Sequence, residues 1–150
     1  MEWSLATFHA SAFVLAIVFF LYSRDALGPA LSGLNTILGL ALFVALWATT
    51  YLTTCRALEG LDLLRERDHL LFARRAFRWG AANGMAFLGV LGVVLIASAV
   101  FVSPTLLLPV LFVAPFALVI SAVVGALVGV IFSAVDLLLL ALARLALDVR

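Results

Sequence analysis

The sequence predicts an all-α protein, an integral membrane four-helix bundle made of two transmembrane hairpins. Hydrophobic residues make up 67% of the 150 residues and charged residues only 11%, whereas soluble domains are about half apolar and about a quarter charged. Long apolar runs recur along the chain, and about 20 apolar residues in a helix are enough to cross a bilayer. Most of the charges lie in one segment between these runs.

The first two apolar runs form the first predicted hairpin. The first span covers about residues 5–22, and the pair Gly28-Pro29 marks a turn after it. No basic residue precedes Arg24, which favours a retained helix over a cleaved signal segment. The second span covers about residues 31–54 and closes with aromatic residues, which are typical of a membrane interface.

Residues 56–79 form a strongly charged segment, for which we expect a helical cytoplasmic loop. Its first half contains the acidic residues Glu59, Asp62 and Glu66, and its second half is mainly basic. Two arrangements fit this pattern. In one, the flanking helices extend and turn near Asp68, so that Glu59 lies opposite Arg78. In the other, an amphipathic helix lies on the membrane with its leucines among the headgroups.

The second predicted hairpin follows from residues 80–135, which contain no charged residue. This stretch is too long for one span and fits two spans joined by a tight turn. We expect the third span at about 81–102 and the fourth at about 110–135. Pro115 either opens the fourth helix or kinks a helix that began near Pro109.

The tail, residues 136–150, keeps a helical pattern and predicts either an interfacial helix or the end of a long, tilted fourth span. With four spans, this tail and the loop 56–79 share one side and carry eight of the nine arginines. The positive-inside rule makes that side cytoplasmic. We therefore expect a multi-pass protein of the cell membrane with both termini in the cytoplasm. Glu2 and Arg24, which flank the first span, favour the opposite insertion. We give more weight to the eight arginines on the other side, because the rule counts basic residues over all short loops.

Small residues form a stripe along the fourth span, and such stripes let membrane helices approach closely. The stripe recurs every four residues: Ala117, Ser121, Gly125, Gly129 and Ser133. Its leading interpretation is packing within the chain's own bundle, and the alternative is a homo-oligomer interface. The third span offers further small residues for close contact: Gly89, Gly92 and Ala99.

Three arginines, Arg74, Arg75 and Arg78, stand just before the third span. Their first interpretation is that they anchor the topology of the chain. The alternative is a contact for an anionic lipid or a protein partner. The net charge of +1 argues against a nucleic-acid partner.

Few polar residues fall inside the predicted spans, and these are the intramembrane candidates: His9, Asn35, Asn83 and Asp136. We interpret the histidine as an interfacial hydrogen-bonding residue and the asparagines as donors between helices. For the aspartate, a proton-relay role is a minor alternative.

Two separate histidines and the single Cys55 do not predict a metal site or a cofactor. No catalytic motif occurs in the sequence, so no enzyme is expected. We therefore expect a non-enzymatic membrane protein of structural or accessory role, which self-associates or binds another membrane protein. The alternative is a small oligomeric channel or transporter for an ion or a small solute.

Overall fold

The protein is all-helical, and four of its helices are long and apolar enough to cross a membrane. The all-α prediction is confirmed, because the described residues are almost entirely helical and contain no strand. The computed structural model describes residues 2–32, 36–61, 69–102 and 104–147. The chain divides into two compact units, Met1–Cys55 and Arg56–Arg150.

The first unit contains α1 (Glu2–Ser23), α2 (Leu27–Ser32) and most of α3 (Thr36–Leu58). Helix α1 ends where Asp25 adopts a positive φ of 54°, a conformation that aspartate tolerates better than most residues. The N–H group of Ala26 then donates to the carbonyl oxygen of Leu21 at 2.9 Å and closes the helix.

The turn therefore falls at Asp25, and the prediction of a turn at Gly28-Pro29 is wrong. Both residues lie in the first turn of the short helix α2. Proline is tolerated there because the N–H groups of a first helical turn have no partner within the helix.

Helix α3 is shifted relative to the predicted second span at 31–54, and it ends at Leu58. Gly60 follows with a φ of 69°, and the N–H group of Leu61 donates to the carbonyl oxygen of Leu58 at 3.0 Å. A glycine in this left-handed conformation commonly terminates a helix. The helix therefore does not continue to a turn near Asp68, and this part of that version of the loop is wrong. Two other parts agree with the structure, because the next long helix already starts at His69 and because Glu59 and Arg78 line one cleft. Residues 62–68 themselves lie outside the described part.

The second unit is dominated by α4 (His69–Val102) and α5 (Leu107–Leu147), joined through a 3₁₀ turn at Pro104–Leu106. Helix α4 starts twelve residues before the predicted third span at 81, so the predicted loop 56–79 is too long. Arginine, leucine and alanine are all good helix formers. A change from polar to apolar sequence therefore marks no helix boundary here.

Helix α5 is 41 residues long and holds Pro115 in its interior. Pro115 therefore does not open the fourth helix. The other alternative is observed, in which the helix begins before this proline. The helix also runs through Asp136 without a break, so the predicted separate C-terminal helix is the end of α5. At 1.5 Å per residue α5 is roughly 60 Å long, about twice the thickness of a bilayer's hydrocarbon core.

Burial is reversed relative to a water-soluble protein. The buried apolar residues in the described ranges are mostly alanines, such as Ala6 at 0% and Ala126 at 4% exposure. Large aromatic side chains face outward instead, as Phe101 at 86% and Phe112 at 73% show. The helices thus meet through small side chains and present their large apolar ones to the surroundings.

Candidate functional site

The closest helix contact in the second unit is a glycine seam between α4 and α5. We define the seam by six residues: Ala76, Gly80 and Gly84 of α4, and Ser121, Gly125 and Gly129 of α5. A methyl group added at Gly80 would lie 3.0 Å from the Cα atom of Gly129, and one added at Gly125 would lie 3.1 Å from the Cα atom of Gly84. The two backbones are therefore in direct contact, and only glycine fits at these positions.

The seam has an antiparallel register in steps of four residues. Ser121 contacts Gly84 at one end, and Gly129 contacts Ala76 at the other. The hydroxyl group of Ser121 donates a hydrogen bond to the carbonyl oxygen of Gly84 at 2.8 Å. One step beyond the seam, Phe72 and Ser133 are both buried.

The structure thus places three residues of the predicted stripe, Ser121, Gly125 and Gly129, against α4 of the same chain. The hydroxyl group of Ser133 donates to the carbonyl oxygen of Val130 within α5. Ala117 is half-buried. On α4, a methyl group added at Gly89 or Gly92 would meet nothing within 4 Å, so these two glycines are not at the close contact.

A second feature of this unit is a basic cleft of about 450 Å³. We define the basic cleft by its lining residues: Arg56, Glu59, Arg75, Arg78, Trp79 and Ala82. Four of these residues belong to α4, at positions 75, 78, 79 and 82. Their spacings of three, one and three residues place them on one side of that helix. Arg56 and Glu59 come from the end of α3 and the turn that follows it.

The turn at Gly60 places the main chain of Glu59 beside α4. The guanidinium group of Arg75 donates a hydrogen bond to the carbonyl oxygen of Glu59. The carboxylate of Glu59 lies 3.8 Å from the guanidinium group of Arg56, with both side chains more than half exposed. An ion pair this exposed contributes little to stability.

Three arginines and one glutamate leave the described lining of the cleft with a formal excess of two positive charges. Guanidinium groups present planar forks of N–H donors that match the oxygens of phosphates and carboxylates. Of the predicted cluster, Arg75 and Arg78 line the cleft, whereas Arg74 is exposed and does not. The sequence reasoning missed Arg56, whose approach depends on the end of α3 at Leu58, and Trp79, which shares a side of α4 with Arg75 and Arg78.

In the first unit, aromatic and polar side chains join α1 to α3. The indole N–H group of Trp47 donates to the hydroxyl of Thr7 at 3.0 Å, and the same hydroxyl donates to the carbonyl oxygen of Trp3 at 2.9 Å. The rings of Trp3 and Trp47 meet edge to face at 6.4 Å, and Tyr51 stacks on Trp47 at 5.6 Å.

This cluster continues to the ends of the two helices. The thiol of Cys55 donates to the carboxylate of Glu2 at 3.3 Å. The start of α1 therefore lies beside the end of α3, and the two helices run antiparallel.

The described members of the predicted intramembrane polar set belong to three different helices. His9 is buried in α1, and Asn83 and Asp136 are half-buried in α4 and α5. Asn35 lies outside the described residues. Within the part of the chain that the structure describes, no group of three metal-binding side chains occurs.

The fold defines a class of all-helical proteins with four helices suited to a membrane and a close glycine contact between two of them. Residues 1–149 match the model of a family of unknown function, DUF7965, and the chain belongs to that family. No curated protein and no solved structure matches the chain.

Proposed function

We propose that the chain is a four-span integral membrane protein with a non-enzymatic, structural or accessory role and with both termini in the cytoplasm. The reversed burial carries this proposal. Water would penalise each exposed apolar side chain by about 25 cal/mol per Å² of surface, whereas hydrocarbon imposes no such penalty. Alanines, glycines and serines at the helix contacts are the residues that membrane helices use for packing.

The glycine seam supports a structural role rather than a permeation pathway between α4 and α5. A methyl group added at Gly80 or Gly125 would already collide with the opposite backbone, so no passage exists along this contact. The seam also occupies three residues of the small-residue stripe within one chain. Self-association, or binding to another membrane protein, would then use a different face.

Two measurements on the full-length protein test this proposal. The protein should remain with membranes after an alkaline wash, and release into the supernatant would contradict membrane insertion. Reconstituted in liposomes, it should give ion and solute fluxes equal to those of protein-free liposomes. Selective flux from the purified protein alone would replace the structural role with the channel or transporter alternative.

The accessory part of the role has its own test. An accessory role predicts that purification in mild detergent, followed by measurement of the complex mass, yields a defined stoichiometric complex with another membrane protein, and recovery of this chain alone would contradict that part of the role.

A further inference from the structure

The geometry points to a phosphate-binding site in the basic cleft, where Arg56, Arg75 and Arg78 hold the phosphate group of an anionic phospholipid or a free phosphate. The cleft is formed within the second unit by α4 and the end of α3. Its volume of about 450 Å³ is larger than a phosphate group requires, so part of a headgroup fits as well.

Three arginines converge on the cleft. A topology anchor needs only positive charge near the end of a span and requires no common direction for the side chains. Here Arg75 and Arg78 project into one cleft, and Arg56 enters it from the end of α3. Several guanidinium groups around one space are the arrangement by which proteins recognise phosphate.

One of these arginines is held in place by a main-chain contact. Arg75 is half-buried and donates to the carbonyl oxygen of Glu59. A guanidinium group carries five N–H donors, more than a single carbonyl oxygen can use. The contact therefore orients the group, and a fixed donor loses less conformational entropy when a ligand binds.

Glu59 is the acidic residue of the cleft lining. Its carboxylate pairs with Arg56 at 3.8 Å on the exposed side, where such pairs contribute little. An incoming phosphate can replace this carboxylate as the partner of Arg56 at small cost. Substitution of Glu59 should then strengthen anion binding, an effect that a purely structural ion pair would not produce.

The cleft lies where the charged part of α4 meets its uncharged part. Trp79 lines it and is the first residue of the uncharged stretch that follows Arg78. Tryptophan is enriched at the headgroup level of membranes, and basic pockets between helices at this level bind anionic headgroups. Recognition of a lipid headgroup at this level rests on the proposed membrane insertion, whereas the convergence of the arginines, the contact of Arg75 and the exposed ion pair of Glu59 do not depend on it.

Binding is tested with the full-length protein in a neutral detergent at fixed ionic strength. Short-chain phosphatidylglycerol, short-chain phosphatidylcholine and inorganic phosphate are titrated separately, and bound ligand is counted by native mass spectrometry. We expect one saturable site for phosphatidylglycerol and weaker binding of phosphatidylcholine. If inorganic phosphate binds equally well and shows the same dependence on the arginines, the source of the phosphate is soluble and the site stands.

The variants distinguish this site from general charge attraction. Arg78→Gln should lower the affinity about tenfold, as expected for loss of a charge-assisted hydrogen bond. Arg78 is exposed, and its substitution leaves the contact between Arg75 and Glu59 intact. Arg74→Gln removes the same charge from the neighbouring exposed position and should leave the affinity unchanged. Glu59→Gln should raise it.

Equal losses in Arg74→Gln and Arg78→Gln would overturn the proposal, because the effect would then be general charge. Absence of saturable binding by both phosphatidylglycerol and phosphate would also overturn it. Neither result bears on membrane insertion, which the alkaline wash tests separately.

Discussion

The hydroxyl group of Ser121 donates to the main-chain carbonyl oxygen of Gly84 at 2.8 Å and so links α5 to α4. A carbonyl oxygen has two lone pairs, so it can accept this bond in addition to the one within its own helix. The bond lies at one end of the glycine seam, where the lack of side chains on the glycines lets the hydroxyl reach the opposite backbone. It therefore depends on the same close approach that it stabilises.

Ser121→Ala should lower the free energy of unfolding by about 0.6 kcal/mol, the average measured for hydrogen bonds between membrane helices. Ser133→Ala is the matched control, because the hydroxyl of Ser133 bonds to Val130 within its own helix and its loss should have a smaller effect. Unfolding in mixed micelles measures both values. Equal effects from the two substitutions would show that the bond between the helices contributes nothing specific.

Gly80→Ala should destabilise the hairpin by about 1–3 kcal/mol, the usual cost of inserting a methyl group into a packed contact. The added methyl group would lie 3.0 Å from the Cα atom of Gly129, and two helix backbones cannot separate without losing the seam. Gly89→Ala is the control, since its methyl group meets nothing within 4 Å, and it should be neutral or slightly stabilising because alanine favours helix. Thermal denaturation in detergent compares them, and equal melting temperatures would contradict the seam.

The double variant Gly125→Leu, Gly129→Leu separates the two interpretations of the small-residue stripe. If the stripe serves the contact between α4 and α5, the variant should unfold more easily while the mass of the purified particle in detergent stays the same. If the stripe joins two copies of the chain, the mass should fall. Light scattering and a melting curve on the same sample decide between these outcomes.

Thr7 and Trp47 should be energetically coupled in the first unit, because the indole N–H group donates to the threonine hydroxyl at 3.0 Å. A double-mutant cycle of Thr7→Val and Trp47→Phe should give a coupling of about 0.6 kcal/mol. The cycle of Thr53→Val with Trp47→Phe is the control, since the hydroxyl of Thr53 bonds only to carbonyl oxygens of α3 in the described structure. A coupling near zero in the first cycle would argue against the contact.

The sequence predicted the number and type of the long helices well, because apolar composition and length set these directly. Helix ends were harder to predict. The end of α1 depends on Asp25 taking a left-handed conformation, and the start of α4 lies among charged residues that are good helix formers. Neither feature changes the hydropathy of the chain.

The residues of α4 that contact the predicted stripe were not predicted, for a related reason. Ala76, Gly80 and Gly84 recur every four residues, as the stripe on α5 does. A third span that starts at 81 excludes Ala76 and Gly80 and contains only Gly84 of this series. The remaining glycines in that span are then Gly89 and Gly92, which are not at the contact. The basic cleft was only half predicted, because a run of arginines does not reveal which of them share a helix side with Trp79, or that Arg56 approaches from α3.

The central claim is that four helices cross the membrane and leave both termini in the cytoplasm, and single-cysteine labelling tests it most directly. In a Cys55→Ser background, Ser23→Cys and Thr105→Cys should react with a membrane-impermeant maleimide in intact cells, whereas Glu66→Cys should react only after permeabilisation. Protection of the cysteine at 105, or labelling of the one at 66 in intact cells, would contradict this topology.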